Sequence, residues 1–285
     1  MAKRRKTRLK HLAEKVQKGE RIVGMECHDT PSAIMAEELG MDLLCCGSPG
    51  PMGLMGHKSM ATVDFEEQLY MLEGVLRGAS SPFIICNMPN TTACISIEES
   101  VRNAAKVVKL GADGVHIEPS LGTVEHIRAI VAAGIPVVGH FGVQGERAVM
   151  NSGHAPAGRT AEEAKAILEL VHASIDAGIF AALFEHTSVE LTKYCYETLP
   201  VAVASLGSGP YAHGIFHVSS DIIGCSVFPI PPKREVFGDV WGEMKKAYTN
   251  YFEAATSGQF PKPELSHTMH EGEFEKFLES VAEPV

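Results

Sequence analysis

Short apolar runs, each closed by a polar or glycine-rich turn and followed by a longer stretch at helical spacing, recur along almost the whole chain. The runs are RIVGMEC (21–27), MDLLCCG (41–47), PFIICNM (82–88), DGVHIE (113–118), IPVVGH (135–140), IFAALFE (179–185), LPVAVAS (199–205) and, less sharply, GIFHVSS (214–220). Each is short enough to be a strand and too continuously apolar to have one wet face, as in a parallel sheet covered on both sides. Between them lie amphipathic segments such as SAIMAEELG, DFEEQLYMLEGVLRG, SIEESVRNAAKVVKLG and AEEAKAILELVHASIDAG. Several end on a glycine just before the next strand (Gly40, Gly111, Gly134, Gly178), the residue that a helix C-terminus favours.

Eight strand–helix units in 285 residues predict a closed (β/α)₈ TIM barrel with an extra C-terminal helix, in the α/β class. An open doubly wound sheet is the alternative, but no GxGxxG or GxxxxGK[ST] follows the first run. After the eighth unit a proline-rich break, FPIPPKREVFG, precedes DVWGEMKKAYTNYFEAATSG, an amphipathic helix carrying Trp241, Tyr248, Tyr251 and Phe252. Such a surplus helix can pack on its own barrel or on a neighbouring subunit; because eight covering helices leave a lone barrel no need of it, a homo-oligomer is expected. The domain reading is a basic arm over 1–18 and a single barrel domain over 19–285 that includes the helical extension.

Charge adds one feature. Residues 1–18 carry eight Lys/Arg (Lys3, Arg4, Arg5, Lys6, Arg8, Lys10, Lys15, Lys18) against Glu14, so the remainder of a chain of net charge −10 stands at −17. The arm reads as a solvated first helix behind a frayed end, and the acidic body excludes nucleic acid as a partner. No apolar stretch nears the roughly 20 residues that span a bilayer, so no membrane is expected. Seven cysteines, an odd number without CxxC spacing or a secretory leader, read as reduced thiols in a cytoplasmic protein; Cys45 and Cys46 face opposite sides.

A barrel of this kind carries its chemistry at the carboxyl ends of its strands. There stand His28 and Asp29, Ser48, Asn87, His116 with Glu118, His140, Glu185 with His186, and Ser205 before the glycine-rich LGSGP. His116 and Glu118, two apart, share a face. An inward Glu118 needs a partner or a metal. Glu185 closes the apolar run IFAALF, where burial is expected to raise its pKa and make it a general acid or base. His140 either bonds a backbone carbonyl or takes part in the chemistry. LGSGP is a candidate anion-binding turn. Arg159, just before the capping box TAEE, either grips a carboxylate or makes a surface ion pair.

In the order and spacing of HDTPSAIMAEELGMD, GIPVVGHFG, AGRTAEEA, FEHTSVELTK and SGQFP, the chain resembles the ketopantoate hydroxymethyltransferase family of the phosphoenolpyruvate mutase/isocitrate lyase barrels, from about residue 19 to 270. The resemblance implies a 2-oxo acid chelated to a divalent cation, usually magnesium, which loses a proton and attacks a one-carbon unit from methylene-tetrahydrofolate. It also implies large ring-like assemblies. The family's metal Glu matches Glu118; its two metal Asp fall at Gly47 or Ser48 and at Asn87. Its active-site Lys matches His116, its His matches His140, and its acid/base Glu matches Glu185. Three metal carboxylates are thus reduced to one, which weakens a hard-cation site, turns it toward a borderline metal held with His116, His28 or a cysteine, or leaves the site to work without a metal.

These readings lead to an aldol-type enzyme acting on a small anionic substrate, a 2-oxo acid or related carboxylate. Glu118 and Asn87 are the candidate metal ligands, and Ser48, Asn87, His116 and His140 the candidate substrate contacts. Glu185, His140 and His116 are the candidate catalytic groups. A non-catalytic paralogue using the barrel for ligand binding or assembly is the alternative.

Overall fold

The computed structural model describes residues 4–151 and 153–282. The eight expected strands are β1 (Ile22–Glu26), β2 (Leu43–Cys46), β3 (Phe83–Asn87), β4 (Gly114–Ile117), β5 (Val137–Gly142), β6 (Ala181–Glu185), β7 (Ala202–Leu206) and β8 (Gly214–Ile215). They pair in sequence order, all parallel, and β8 closes on β1 through Ile22 opposite Gly214, making a closed barrel. The eighth run, the least clear in sequence, is only two residues of strand, short but sufficient to close the ring.

Alternation sorts the strands into two packed layers. Cys45, Phe83, Ile85, Val138, Ala181 and Leu183 fill the barrel interior. Leu44, Cys46, Ile84, Cys86, Val115, Val137, Ala182 and Phe184 face the helices. Cys45 and Cys46 accordingly serve different layers, and no disulfide joins the cysteines of the described residues. Helix ends behave as the glycine spacing predicts; Gly40 (φ 81°), for example, ends the helix Thr30–Leu39 in the left-handed conformation.

The basic arm forms the expected first helix and is mostly exposed, but it is pinned to the barrel at a few points. Its helix Leu9–Gln17 buries Leu12 among Ile22, Cys45, Phe83, Ile85 and Val138 in the interior layer. Lys6 donates to Asp113 Oδ2 (2.5 Å) and Pro82 O, and Lys15 to Asp42 Oδ2 (2.7 Å). Both aspartates also accept strand amides, Ile84 N and Val23 N, so part of the arm's charge answers carboxylates at the strand starts. Lys3 lies outside the described residues.

Contacts divide the chain into two compact units, one ending at Phe237 and the other beginning at Gly238. The first is the barrel with its N-terminal arm, so the arm joins the barrel and the helical extension stands as its own unit. That second unit holds the helices Val240–Thr256 and Glu273–Ala282, neither with a buried residue. No helix among the described residues is long and apolar enough to cross a membrane.

Candidate active site

The inward rows that fill the barrel end, at the carboxyl side, in polar groups. Asn87 continues the row of Phe83 and Ile85, His140 that of Val138, and Glu185 that of Ala181 and Leu183; His116 and Glu118 follow the same alternation on β4. All but Glu185 are buried at 7% exposure or less, and the parallel register places them side by side: Asn87 opposite His116, His140 opposite Leu183. The sequence-predicted residues Ser48, Asn87, His116, Glu118, His140 and Glu185 form one connected cluster.

His140 is its centre. Its Nε2 lies 3.2 Å from Glu185 Oε2 and its Nδ1 3.9 Å from Glu118 Oε1, and its ring centroid is 5.0 Å from that of His116. Burial works to lower its pKa, but contact with Glu185 and the charges of Glu118 and Glu146 outweigh this and raise it, favouring an imidazolium. His116 goes the other way: burial, then the neighbouring His140, pull it down to about 3, so it is neutral. Its Nδ1 bonds Asn87 Oδ1 at 2.8 Å, which makes Nδ1 the donor and leaves Nε2 with a bare lone pair. His116 Nε2 is buried without a hydrogen-bond partner among the described residues, and the two His140 nitrogens, though 3.2 and 3.9 Å from carboxylate oxygens, make no well-aligned hydrogen bond there. Burial pushes Glu118 up to about 8, while the charge of His140 works to lower it.

Glu185 corrects the expectation placed on it. Burial does push its pKa up, but His140 and Arg234 outweigh that and hold it at about 2. Arg234 Nη2 donates to Glu185 Oε1 (2.6 Å) and to His186 Nε2 (2.9 Å), while Nη1 donates to Asp221 Oδ2 (2.7 Å). Reading Glu185 from its apolar run alone missed a cation arriving from 49 residues away. Arg234 sits in the proline-rich segment that the pattern marks only as a break.

Two further carboxylates enter unannounced. Glu146, from the turn after β5, accepts from Ser48 Oγ (3.0 Å), Asn87 Nδ2 (2.5 Å) and Asn90 N, while its own amide donates to Glu118 Oε2 (3.1 Å). Nothing in GVQGERAV signals this, because the residue is brought in by a loop. Glu26 could have been found: it interrupts an apolar strand run and shares a face with His28. It accepts from His28 Nδ1 (3.0 Å), Ser219 Oγ (3.0 Å) and Ser219 N (3.3 Å).

Other candidates fall away from the cluster. Ser205 Oγ donates to Gly209 O and accepts from Ser208 N, and Ser208 Oγ donates to Phe184 O, so Ser205 and the serine of LGSGP hold the turn itself. Arg159 is exposed, and its amide donates to Glu163 at the start of the helix Ala161–Asp176.

Fold and site together define a (β/α)₈-barrel enzyme with an imidazole–carboxylate centre at the carboxyl ends of its strands. The ketopantoate hydroxymethyltransferase model matches residues 6–263, and the chain belongs to that family. It is 32% identical over 257 residues to the 3-methyl-2-oxobutanoate hydroxymethyltransferase of Ignicoccus hospitalis, covering 90% of this chain and 97% of that one. With the enzyme of the same name from Hyperthermus butylicus it is 31% identical over 283 residues, covering 99% and 98%. Among solved structures, a 2,3-dimethylmalate lyase of the PEP mutase/isocitrate lyase superfamily shares the fold at TM-score 0.59 and 16% identity, with 96% and 97% coverage. A phosphonopyruvate hydrolase complexed with oxalate and magnesium does so at TM-score 0.58 and 13% identity, with 96% and 98% coverage.

The acids that the resemblance assigns to a divalent cation do not assemble here. No group of three His, Cys, Asp or Glu among the described residues has metal-holding geometry. Asn87 turns its nitrogen toward Ser48 and Glu146 and gives its oxygen to His116. The donor set therefore does not fit a hard cation, which prefers ionised oxygen ligands in regular geometry.

Proposed function

We propose that this chain is an aldol-type enzyme that enolises a small 2-oxo acid and joins it to, or releases it from, a one-carbon unit. The family supports a hydroxymethyl transfer, with a folate carrier as the donor that the resemblance implies. The observation that carries the reading is the pair of buried imidazoles with unpartnered nitrogens at the ends of β4 and β5. The carboxylates around His140 favour its charged form, while burial holds His116 neutral.

In this reading Glu185, fixed as a carboxylate by Arg234, keeps His140 charged. His140 donates to the carbonyl oxygen that gains negative charge as the enolate forms, where a preorganised donor in a dry site acts most strongly. His116 Nε2 takes the proton from the neighbouring carbon. Burial is the larger cause of its low basicity, and the smaller one, repulsion from His140, fades as the enolate oxygen neutralises that cation. Ser48 and Asn87 border the same space. Reduced cysteines fit a cytoplasmic setting, and the exposed aromatic helix fits a homo-oligomer.

Deuterium entry at the carbon next to the carbonyl tests this without the second substrate. Candidate 2-oxo acids in heavy water should exchange with the wild type. His116→Gln should slow exchange by about 10²–10⁴-fold, the usual contribution of a positioned base. Equal rates in both proteins would remove His116 as the acceptor, and no exchange with any 2-oxo acid would overturn enolate chemistry.

A further inference from the structure

The family's cation site rests on acids at the ends of the second and third strands, and in this chain those places are filled by other groups. Gly47 offers no side chain, and a Cβ added there would lie 2.8 Å from Glu26 Cγ, so the stem of Glu26 already occupies the space. The Glu26 carboxylate is itself committed to His28 and Ser219. At the third strand Asn87 presents N–H donors to Ser48 Oγ (2.6 Å) and Glu146 Oε1, where a cation would need lone pairs. Glu146 accepts from Ser48 and Asn87 through one oxygen and from Asn90 N through the other. Of Glu118, one oxygen accepts the Glu146 amide, and the other faces His140 at 3.9 Å. Glu26 and Glu146 are thus tied into the protein's own hydrogen bonds through both oxygens, and Glu118 through one. What the cluster leaves open is imidazole nitrogen, on two rings at least nine-tenths buried. Buried polar atoms are normally paired, and unpaired ones point to a ligand.

We propose that this chain holds its acid ligand without a divalent cation, His140 taking the role of anchor for the ligand oxygens that a metal has in the resemblance. The inference rests on the reading of a small 2-oxo acid, and deepens it by naming what grips the acid. Each hydrogen bond from a charged donor in such a site is typically worth a tenfold change in affinity or more.

The test uses the full chain, stripped with chelator, and oxalate as the probe. Oxalate offers the same adjacent oxygens as an enolised 2-oxo acid. Calorimetry is run in chelator and in excess magnesium, with free oxalate corrected for complexation, and manganese binding is counted separately by its paramagnetic signal. The expected result is an oxalate affinity the same within about twofold in both buffers, with no saturable manganese and a loss of at least about tenfold in His140→Gln. A tenfold gain with magnesium, or one manganese per chain that Glu118→Gln removes, would overturn the proposal. The manganese count is made on the wild type and so stands even if His140→Gln does not fold. Absence of oxalate binding in either buffer would overturn it too. Deuterium exchange judges the enolate reading separately, since a cation-dependent enzyme would still exchange.

Discussion

Arg234 decides what Glu185 can do. With the Arg234 side chain only 8% exposed and 2.6 Å from Glu185 Oε1, the ion pair is shielded from solvent and from salt. Replacing the guanidinium by a neutral amide leaves Glu185 with His140 alone, and its pKa should climb from about 2 toward the ordinary carboxylate range. Because a protonated Glu185 no longer keeps His140 charged, the acidic limb of the exchange rate should move up by about one pH unit or more in Arg234→Gln. Arg234→Lys should restore part of the wild-type profile. A rate that falls equally at every pH would show that Arg234 only supports the fold of its segment. Such a residue is hard to see in sequence: the inward alternation that exposes Glu118 and His140 applies to strands, while Arg234 and Glu146 arrive on loops, where no period announces direction. Glu26, by contrast, obeys the strand rule and was legible in principle.

At the scale of elements, the Glu26–His28–Ser219 cluster ties the end of β1 to the short helix Ser219–Ile222 that follows β8. This junction closes the ring: β8 contributes only two residues of strand, and the backbone bonds Ile22 N to His213 O and Glu26 N to His217 O extend the seam that these side chains reinforce. For His28, burial lowers the pKa, but the Glu26 charge and hydrogen bond, with Asp29, raise it to about 9. A His with a raised folded-state pKa contributes stability that is fully present below its unfolded value near 6.5. That contribution is lost as pH rises through about 9. Thermal melts should therefore show a decline between about pH 7 and 10 that His28→Asn flattens; parallel curves for the two proteins would assign the decline elsewhere. The strand pattern located all eight strands because a doubly covered sheet writes itself as continuous apolar runs. It gave β8 least clearly, since a two-residue strand leaves almost no run to read. Charge likewise hides what pins the arm: one apolar side chain, Leu12, and two partly buried ion pairs, Lys6–Asp113 and Lys15–Asp42, settle where it lies.

For the whole molecule the open matter is the apolar surface of the C-terminal unit. Along the helix Val240–Thr256, Trp241, Tyr248, Tyr251 and Phe252 are each at least half exposed, and Phe274, Phe277 and Leu278 are similarly exposed on the helix Glu273–Ala282. Internal contacts are few, chiefly Tyr251 against Phe260 (5.5 Å) and Phe274 against Phe277 (6.3 Å). Isolated apolar side chains on a surface need no explanation, but several large aromatics concentrated on two consecutive helices do. Burying a large aromatic side chain contributes about 1.5–3 kcal/mol, so a partner covering four of them gains several kcal/mol before the cost of association is counted. Sedimentation at micromolar concentration should therefore give a mass at least twice the 30.7 kDa of one chain. Replacing Tyr248 and Phe252 together by serine should shift the protein toward smaller species, with the barrel's melting preserved. A wild-type monomer would overturn the expectation. An unchanged oligomer in the double variant would keep the assembly but move its interface off this helix.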